Sequence, residues 1–173
     1  DRERIVEQYL PAGSVVATSF VPDAINPGVS PEVGWYEYDP EGAKALLAEE
    51  GYTEANPLEI TFTFRNVVRA YAAAPDKIAQ EVQAQLAEIG VNVTIEEMES
   101  AAFIDATAAG EKGFFLLGWN ADYPDATNFL DYHFANSANK QNGTLYQDIV
   151  DEINAAAKLS DAAARQEHYD IVN

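Results

Sequence analysis

The chain has no cysteine, two histidines and only ten lysines and arginines among its 173 residues. Without a thiol, disulfides, thiolate metal sites and cysteine nucleophiles are excluded. His133 and His168 lie far apart in sequence, and there is neither a G-x-S-x-G turn nor a glycine-rich phosphate loop. That leaves little from which to build a nucleophilic or phosphoryl-transfer enzyme. The scarce basic residues stand against 29 acidic ones, for a net charge of -19. A field of that sign repels phosphate backbones and anionic lipid headgroups, which argues against nucleic acid as a partner. The acidity reads first as a solvated surface and second as an attraction for cationic ligands. No apolar run approaches the roughly 20 residues that span a bilayer. The chain opens on charged Asp1-Arg2-Glu3-Arg4 rather than on a signal peptide.

What is present is enough for a core. A chain of 173 residues, 47% of them apolar, has the size of one domain, and residues 1–173 are expected to form a single one. Arg2 to Leu10 reads as a short helix closed by Pro11 and Gly13. Ala12 to Tyr36, rich in proline and glycine, reads as a long loop anchored by Val15, Val16, Phe20, Val21, Ile25 and Trp35. Asp39 and Pro40 open a helix as N-cap and first residue, with Ala43, Leu46 and Leu47 as its buried stripe and Gly51 as its left-handed cap. Leu58, Ile60, Phe62 and Phe64 alternate with Glu59, Thr61 and Thr63, the period of a half-buried strand. Ile78, Val82, Leu86 and Ile89 mark a helix from Asp76 to Ile89 capped by Gly90, and Val91, Val93 and Ile95 begin a second alternating strand. Strand, helix and strand of these lengths predict a parallel βαβ unit. A helix from Ser100 to Ala109, with Phe103 and Ile104 inward, leads to a third strand over Gly113 to Trp119. Two successive βαβ units predict a doubly wound sheet of the α/β class. After a proline turn, Thr127 to Phe134 reads as a short helix and Asn136 to Gly143 as a polar loop. Tyr146 to Leu159 and Asp161 to Val172 read as two helices parted near Ser160.

The most informative stretch is Gly113 to Leu130, GFFLLGWNADYPDATNFL. Phe114 to Leu117, with no polar alternation, read as a strand covered on both faces. Ligands of open α/β sheets bind just beyond the carboxyl ends of strands, where Gly118 to Asp122 lie. Asp122 reads either as a turn aspartate capping a local amide or as a site carboxylate. Trp119 reads either as a plug at the end of the sheet or as the wall of a site. Asp125 reads as a turn residue, Asn128 as the cap of the next helix, and Trp35 and Tyr146 as core or cleft-edge residues. Asp131-Tyr132-His133 offers two metal ligands without a partner cluster, so no metal site is assigned, and His168 is expected to be exposed.

The motif GW-x-A-D-Y-P-D-x-x-N-F-L follows DRERIV at Asp1, YDPEGAKALLAEEGY at Tyr38, LEITFTF at Leu58 and IAQEVQAQLAEIGVNVTIEEME at Ile78. These five pieces, in this order, resemble the extracellular solute-binding proteins of family 5, the peptide, nickel and oligosaccharide receptors that feed ABC importers. The resemblance implies a periplasmic-binding-protein type II-like lobe: a mixed, mostly parallel sheet flanked by helices, with additional C-terminal helices. Members of that family are much longer, so it also implies the second, C-terminal lobe of a two-lobe receptor, with the N-terminal lobe outside this chain. Asp1 begins inside a helix and Asn173 follows Ile171-Val172 with no stop signal, which fits a piece of a longer protein. The implied function is capture of short peptides in a cleft between two lobes for delivery to an ABC permease in the membrane. It implies no enzymatic activity and no cofactor. The implied location is extracytoplasmic, in the periplasm or on a cell-surface lipoprotein whose signal lies upstream. In peptide-binding members the aspartate of the GW-x-x-D position pairs with the peptide's free α-amino group, which puts Asp122 at the ligand's ammonium. Trp119 would then form a wall, and Gly118 and Asn120 would supply main-chain bonds to an extended peptide. Ala126 stands where many relatives carry a second proline.

Other readings stay open. A receptor of the same family for an oligosaccharide or a metal chelate needs no ammonium-binding Asp122. From a different class, a small hydrolase could use a carboxylate pair such as Asp122 with Asp125 or Asp131. An interaction domain could dock through Ala12 to Tyr36.

Overall fold

A computed structural model describes residues 1–30 and 35–173. The part of the long loop at residues 31–34 lies outside the described residues. The architecture is α/β, in the order α1 (Arg2–Tyr9), α2 (Pro40–Glu49), β1 (Leu58–Arg65), α3 (Pro75–Ala87), β2 (Val91–Met98), α4 (Ser100–Ala108), α5 (Thr127–Phe134), α6 (Gln147–Ala157) and α7 (Ala162–Val172). The residues fall into two compact units. The first comprises Asp1–Val16, Glu37–Ala106 and Lys112–Gly118, and the second Ala17–Tyr36, Thr107–Glu111 and Trp119–Asn173.

In the first unit β1 and β2 pair in parallel, with Leu58 opposite Val91 and Arg65 opposite Met98, and α3 makes the crossover between them. Phe62, Phe64, Ala79, Val91 and Val93 form the buried core, joined by Leu47, Val82, Leu86 and Leu116. Asp39 caps α2 by accepting from the Gly42 N–H at 2.9 Å, and Gly51 takes the left-handed conformation at φ +87°. The expected stripe on α2 is only partly realised: Leu47 packs on the core, while Leu46 is 65% exposed. Adjacent helical positions are turned about 100° apart, and a helix with one covered side buries one of them.

The predicted Gly113 to Trp119 strand is corrected to a single parallel bridge. Thr63 N–H donates to Phe114 O and Leu116 N–H donates to Thr63 O, each at 3.0 Å, so the segment runs beside β1 opposite β2. Among the described residues no further strand covers its outer edge, and Phe114 is 37% exposed instead of sandwiched. Thr63, expected to face outward, is buried because its hydroxyl donates to Glu96 at 2.9 Å, which also takes Lys112 Nζ at 2.8 Å.

Glu81, on α3, is 6% exposed and ties α1 down. Its carboxylate accepts from Gln85 Nε2 at 2.8 Å and Tyr9 OH at 3.1 Å, and pairs with Arg4 Nε at 2.9 Å. The Gln85 hydrogen bond, followed by those from Tyr9 and Arg4, holds the carboxyl below its ordinary value against the opposing effect of burial. A depressed folded-state value means the contribution is present above the unfolded value and lost as pH falls through the folded one. Glu81→Gln is expected to destabilise the protein by about 1–2 kcal/mol at pH 7 and by much less at pH 3. Urea unfolding at the two pH values checks this; an equal difference at both would contradict it.

The second unit is helical. Phe129 and Leu130 of α5, Val150, Ile153 and Ala156 of α6, and Tyr169 of α7 enclose its core with Val21, Ile25 and Ala126. Val21 and Ile25 thus anchor the long loop as expected, whereas Val15 is 74% exposed and Phe20 and Trp35 are also exposed. The loop is further stitched to α7: Ser30 Oγ donates to Asp170 at 2.6 Å and Gln166 Oε1 accepts from Gly28 N–H at 3.0 Å. His168, expected to be exposed, is half-buried, because α6 brings Glu152 against its Nδ1. Among the described residues no helix is long and apolar enough to cross a membrane.

Candidate functional site

The proline turn after the GW segment is built on Asp125. Its Oδ1 accepts from Thr127 N–H at 3.0 Å, at the first residue of α5, and from Thr127 Oγ1 at 2.8 Å. The same oxygen pairs with Arg165 Nη2 of α7 at 2.8 Å, and that nitrogen also donates to Tyr169 OH at 2.7 Å. The Arg165 hydrogen bond pulls the Asp125 carboxyl down to about 2, with burial opposing and the two Thr127 bonds assisting. Arg165 is raised above its already high value by the same contact. Asp125 is therefore more than the expected turn residue: it fixes the start of α5 to α7.

The first turn of α5 also holds the segment that precedes it. Asn128 is 6% exposed, and its Oδ1 accepts from the Trp119 indole Nε1–H at 2.9 Å and from the Asp122 backbone N–H at 3.0 Å. Asn128 was expected to cap the helix; instead Ala126 stands at the N-cap without a side-chain cap, Asp125 takes the Thr127 N–H, and Asn128, one residue inside α5, points its carboxamide at the loop. Tyr132, four residues on and therefore on the same helical face, stacks on Trp119 at 4.1 Å between centroids with the rings 26° apart. His133 meets the Trp119 ring edge-on at 5.3 Å and donates Nδ1–H to Phe129 O at 2.7 Å. Burial lowers its pKa, so it remains a neutral ring in the packing.

Of the four candidate ligand-binding residues, Trp119, Asn120 and Asp122 lie in the second unit, and Gly118 in the first. Trp119 is half-buried, packed on the helical core and hydrogen-bonded, so it serves as core at one edge and surface at the other. Asn120 and Asp122 are exposed. The backbone N–H of Asp122 is held by Asn128, yet its carboxylate makes no hydrogen bond or ion pair among the described residues. Gly118 passes directly under the Tyr71 ring, where an added Cβ would meet ring carbons at 2.4 Å, so only glycine fits. Tyr146 is 65% exposed and belongs to a surface, not a core.

The other carboxylates of the turn are committed. Asp131 accepts from Asn136 N–H and from Ser137 Oγ, each at 3.1 Å. Asp125, held at about 2, is committed to its ion pair with Arg165. A groove of about 370 Å³ opens in the second unit between Tyr123, Asp125, Asp131, Asn154 and Arg165, and Asp122 lies outside its lining. Asp122 offers exposed carboxylate oxygens on a backbone held by Asn128, acceptors for a charged or neutral donor. Asn128, Tyr132 and Arg165 were missed as contributors to this arrangement. The i, i+4 spacing of Asn128 and Tyr132 could have placed those two together, but nothing local points from Asp125 to an arginine 40 residues away.

The sequence model of the bacterial extracellular solute-binding proteins, family 5 Middle, matches residues 1–141. Di/tripeptide-binding protein 4 of Pseudomonas aeruginosa is 33% identical over 165 residues, covering 87% of this chain and 30% of that protein. Heme-binding protein A of Haemophilus influenzae is 34% identical over 130 residues, covering 75% of this chain and 23% of that protein. Among solved structures, a dipeptide-binding protein from a Pseudoalteromonas species in complex with Met-Leu matches with a TM-score of 0.89 at 28% identity, covering 99% of this chain and 34% of that one. The chain thus spans about a third or less of the length of each of these three proteins.

Proposed function

The chain belongs to the bacterial extracellular solute-binding proteins of family 5, a family of binding proteins rather than enzymes, and on that premise we propose that it is the C-terminal lobe of a two-lobe receptor for short peptides. The observation that carries this reading is Asp122: an exposed carboxylate without a partner among the described residues, on a backbone whose N–H is held by the same Asn128 oxygen that holds the Trp119 indole. A peptide's α-ammonium donates charge-assisted hydrogen bonds to it, about twice as strong as neutral ones. Gly118 and Asn120 offer main-chain groups to an extended peptide, which binds without regard to side chains. Trp119 forms a wall. The similarity to proteins named for di- and tripeptide binding supports the ligand class.

In the complete receptor a further, N-terminal lobe closes over this one, and the closed form is what an ABC permease in the membrane accepts. The receptor works outside the cytoplasm, in the periplasm or anchored to the cell surface as a lipoprotein, and has no catalytic step. An open face is consistent with Asp122 lying outside the lining of the groove at Tyr123 and Arg165, since a cleft buries its ligand only when both walls are present. A chelate ligand is the second reading, favoured by the similarity to a protein named for heme binding.

Calorimetric titration of a mixed di- to pentapeptide library into the full-length protein tests the proposal. Saturable heat is expected with free-amino peptides, and little with the same library N-acetylated. No heat with either library, or equal heat with both, would turn the reading toward the chelate.

A further inference from the structure

We propose that Asn128 is a positioning residue for ligand capture, acting through the Trp119–Asp122 segment without touching the ligand. The inference rests on the peptide-receptor reading above and names how its anion is held. A single side-chain oxygen receives two donors from one loop, the Trp119 indole N–H at 2.9 Å and the Asp122 backbone N–H at 3.0 Å. Those donors sit three residues apart, so one acceptor pins both ends of the Trp119–Asp122 segment, and the exposed carboxylate is carried by the second of the pinned residues. The acceptor is itself immobile. Asn128 is 6% exposed, lies in the first turn of α5, and that turn is fixed by Asp125. From the next turn Tyr132 stacks on Trp119, so the indole is clamped by hydrogen bond at its edge and by a ring on its face.

Asparagine suits the place for a stated reason. The position needs an acceptor for two N–H groups on a short stem, and a neutral one, because a second carboxylate so close to Asp122 would raise the cost of keeping both charged. An unpinned Asp122 would sample many directions, and the ordering would have to be supplied by the ligand on binding.

The test uses the full-length protein and three forms: wild type, Asn128→Leu, which removes the acceptor at similar volume, and Asn128→Asp, which keeps it. Two quantities are read. Hydrogen exchange at the Asp122 amide and the Trp119 indole is followed by NMR without ligand, and affinity is measured for the di- to pentapeptide library with free and with acetylated amino termini. Asn128→Leu is expected to speed both exchange rates and to weaken free-amino peptides, each by about tenfold, while the residual affinity of acetylated peptides stays unchanged. Asn128→Asp is expected to restore slow exchange. Unchanged exchange in Asn128→Leu overturns the proposal. So does a loss of affinity that is equal for free and acetylated peptides, since that marks a merely structural role. If wild type binds neither library, the receptor reading fails separately, and the exchange rates alone decide whether Asn128 holds the segment.

Discussion

Replacing Asp122 with asparagine in the full-length protein is expected to weaken free-amino peptides by roughly 10- to 100-fold, the effect of losing a hydrogen bond to a charged group worth about 1.5–3 kcal/mol. N-acetylated peptides should be indifferent to the change, because they bring no ammonium for the carboxylate to lose. Stability should move little. Asp122 is exposed, and its carboxylate holds nothing together among the described residues, so the substitution falls in the class of surface changes within about 0.5 kcal/mol. The combination distinguishes a ligand contact from a turn residue: a turn aspartate would lower the unfolding midpoint and affect both peptide classes alike. Comparing calorimetric affinities for the two peptide libraries, beside a thermal melt of each protein, gives the answer.

The second large effect belongs to Arg165. Arg165→Met removes the partner of Asp125 and a donor to buried Tyr169, while keeping an apolar stem of similar length. Breaking a fully buried pair costs about 3–5 kcal/mol; with Asp125 a third exposed, about 2–3 kcal/mol is expected at pH 7. The pH dependence follows from the sign of the shift. The Asp125 carboxyl sits at about 2 in the folded protein, below its unfolded value near 4. Its contribution is therefore complete above about pH 4 and is lost as pH falls through 2. Wild type and Arg165→Met should differ most at neutral pH and converge near pH 2. Urea unfolding across that range measures the gap, and a gap constant with pH would mean that lost packing, not the ion pair, accounts for it. Because Asp125 holds Thr127 at the start of α5, the variant should also loosen the Asn128 contacts one residue into that helix.

Much of the fold was legible because it rests on local chemistry. Asp39 with Pro40, the strand from Leu58 and the stripe of Ile78, Val82 and Leu86 each need only neighbours in sequence, and each formed where expected, although the alternation of β1 breaks at buried Thr63. The parallel pairing of β1 and β2 followed from the helix between them. What failed was the reading of burial on both faces. An apolar run at Phe114 to Leu117 looks the same whether it is sandwiched or lies at an edge, and only the sheet's extent decides. The site was legible in part. The GW-x-x-D motif drew attention to Trp119 and Asp122, and the structure leaves that carboxylate exposed. The polar network behind it was not legible. Asn128 at a helix start looks like a cap, but it lies one residue inside α5 and takes its donors from the Trp119–Asp122 segment. Arg165 reaches Asp125 across 40 residues, a contact that no local pattern encodes.

A crystal structure of the full-length protein with a bound free-amino peptide tests the central claim most directly. The expected result is an α-ammonium nitrogen about 2.7–2.9 Å from the Asp122 carboxylate, with the Asn128 contacts to Trp119 and Asp122 intact. An ammonium seated on another residue, with Asp122 left facing water, would contradict it.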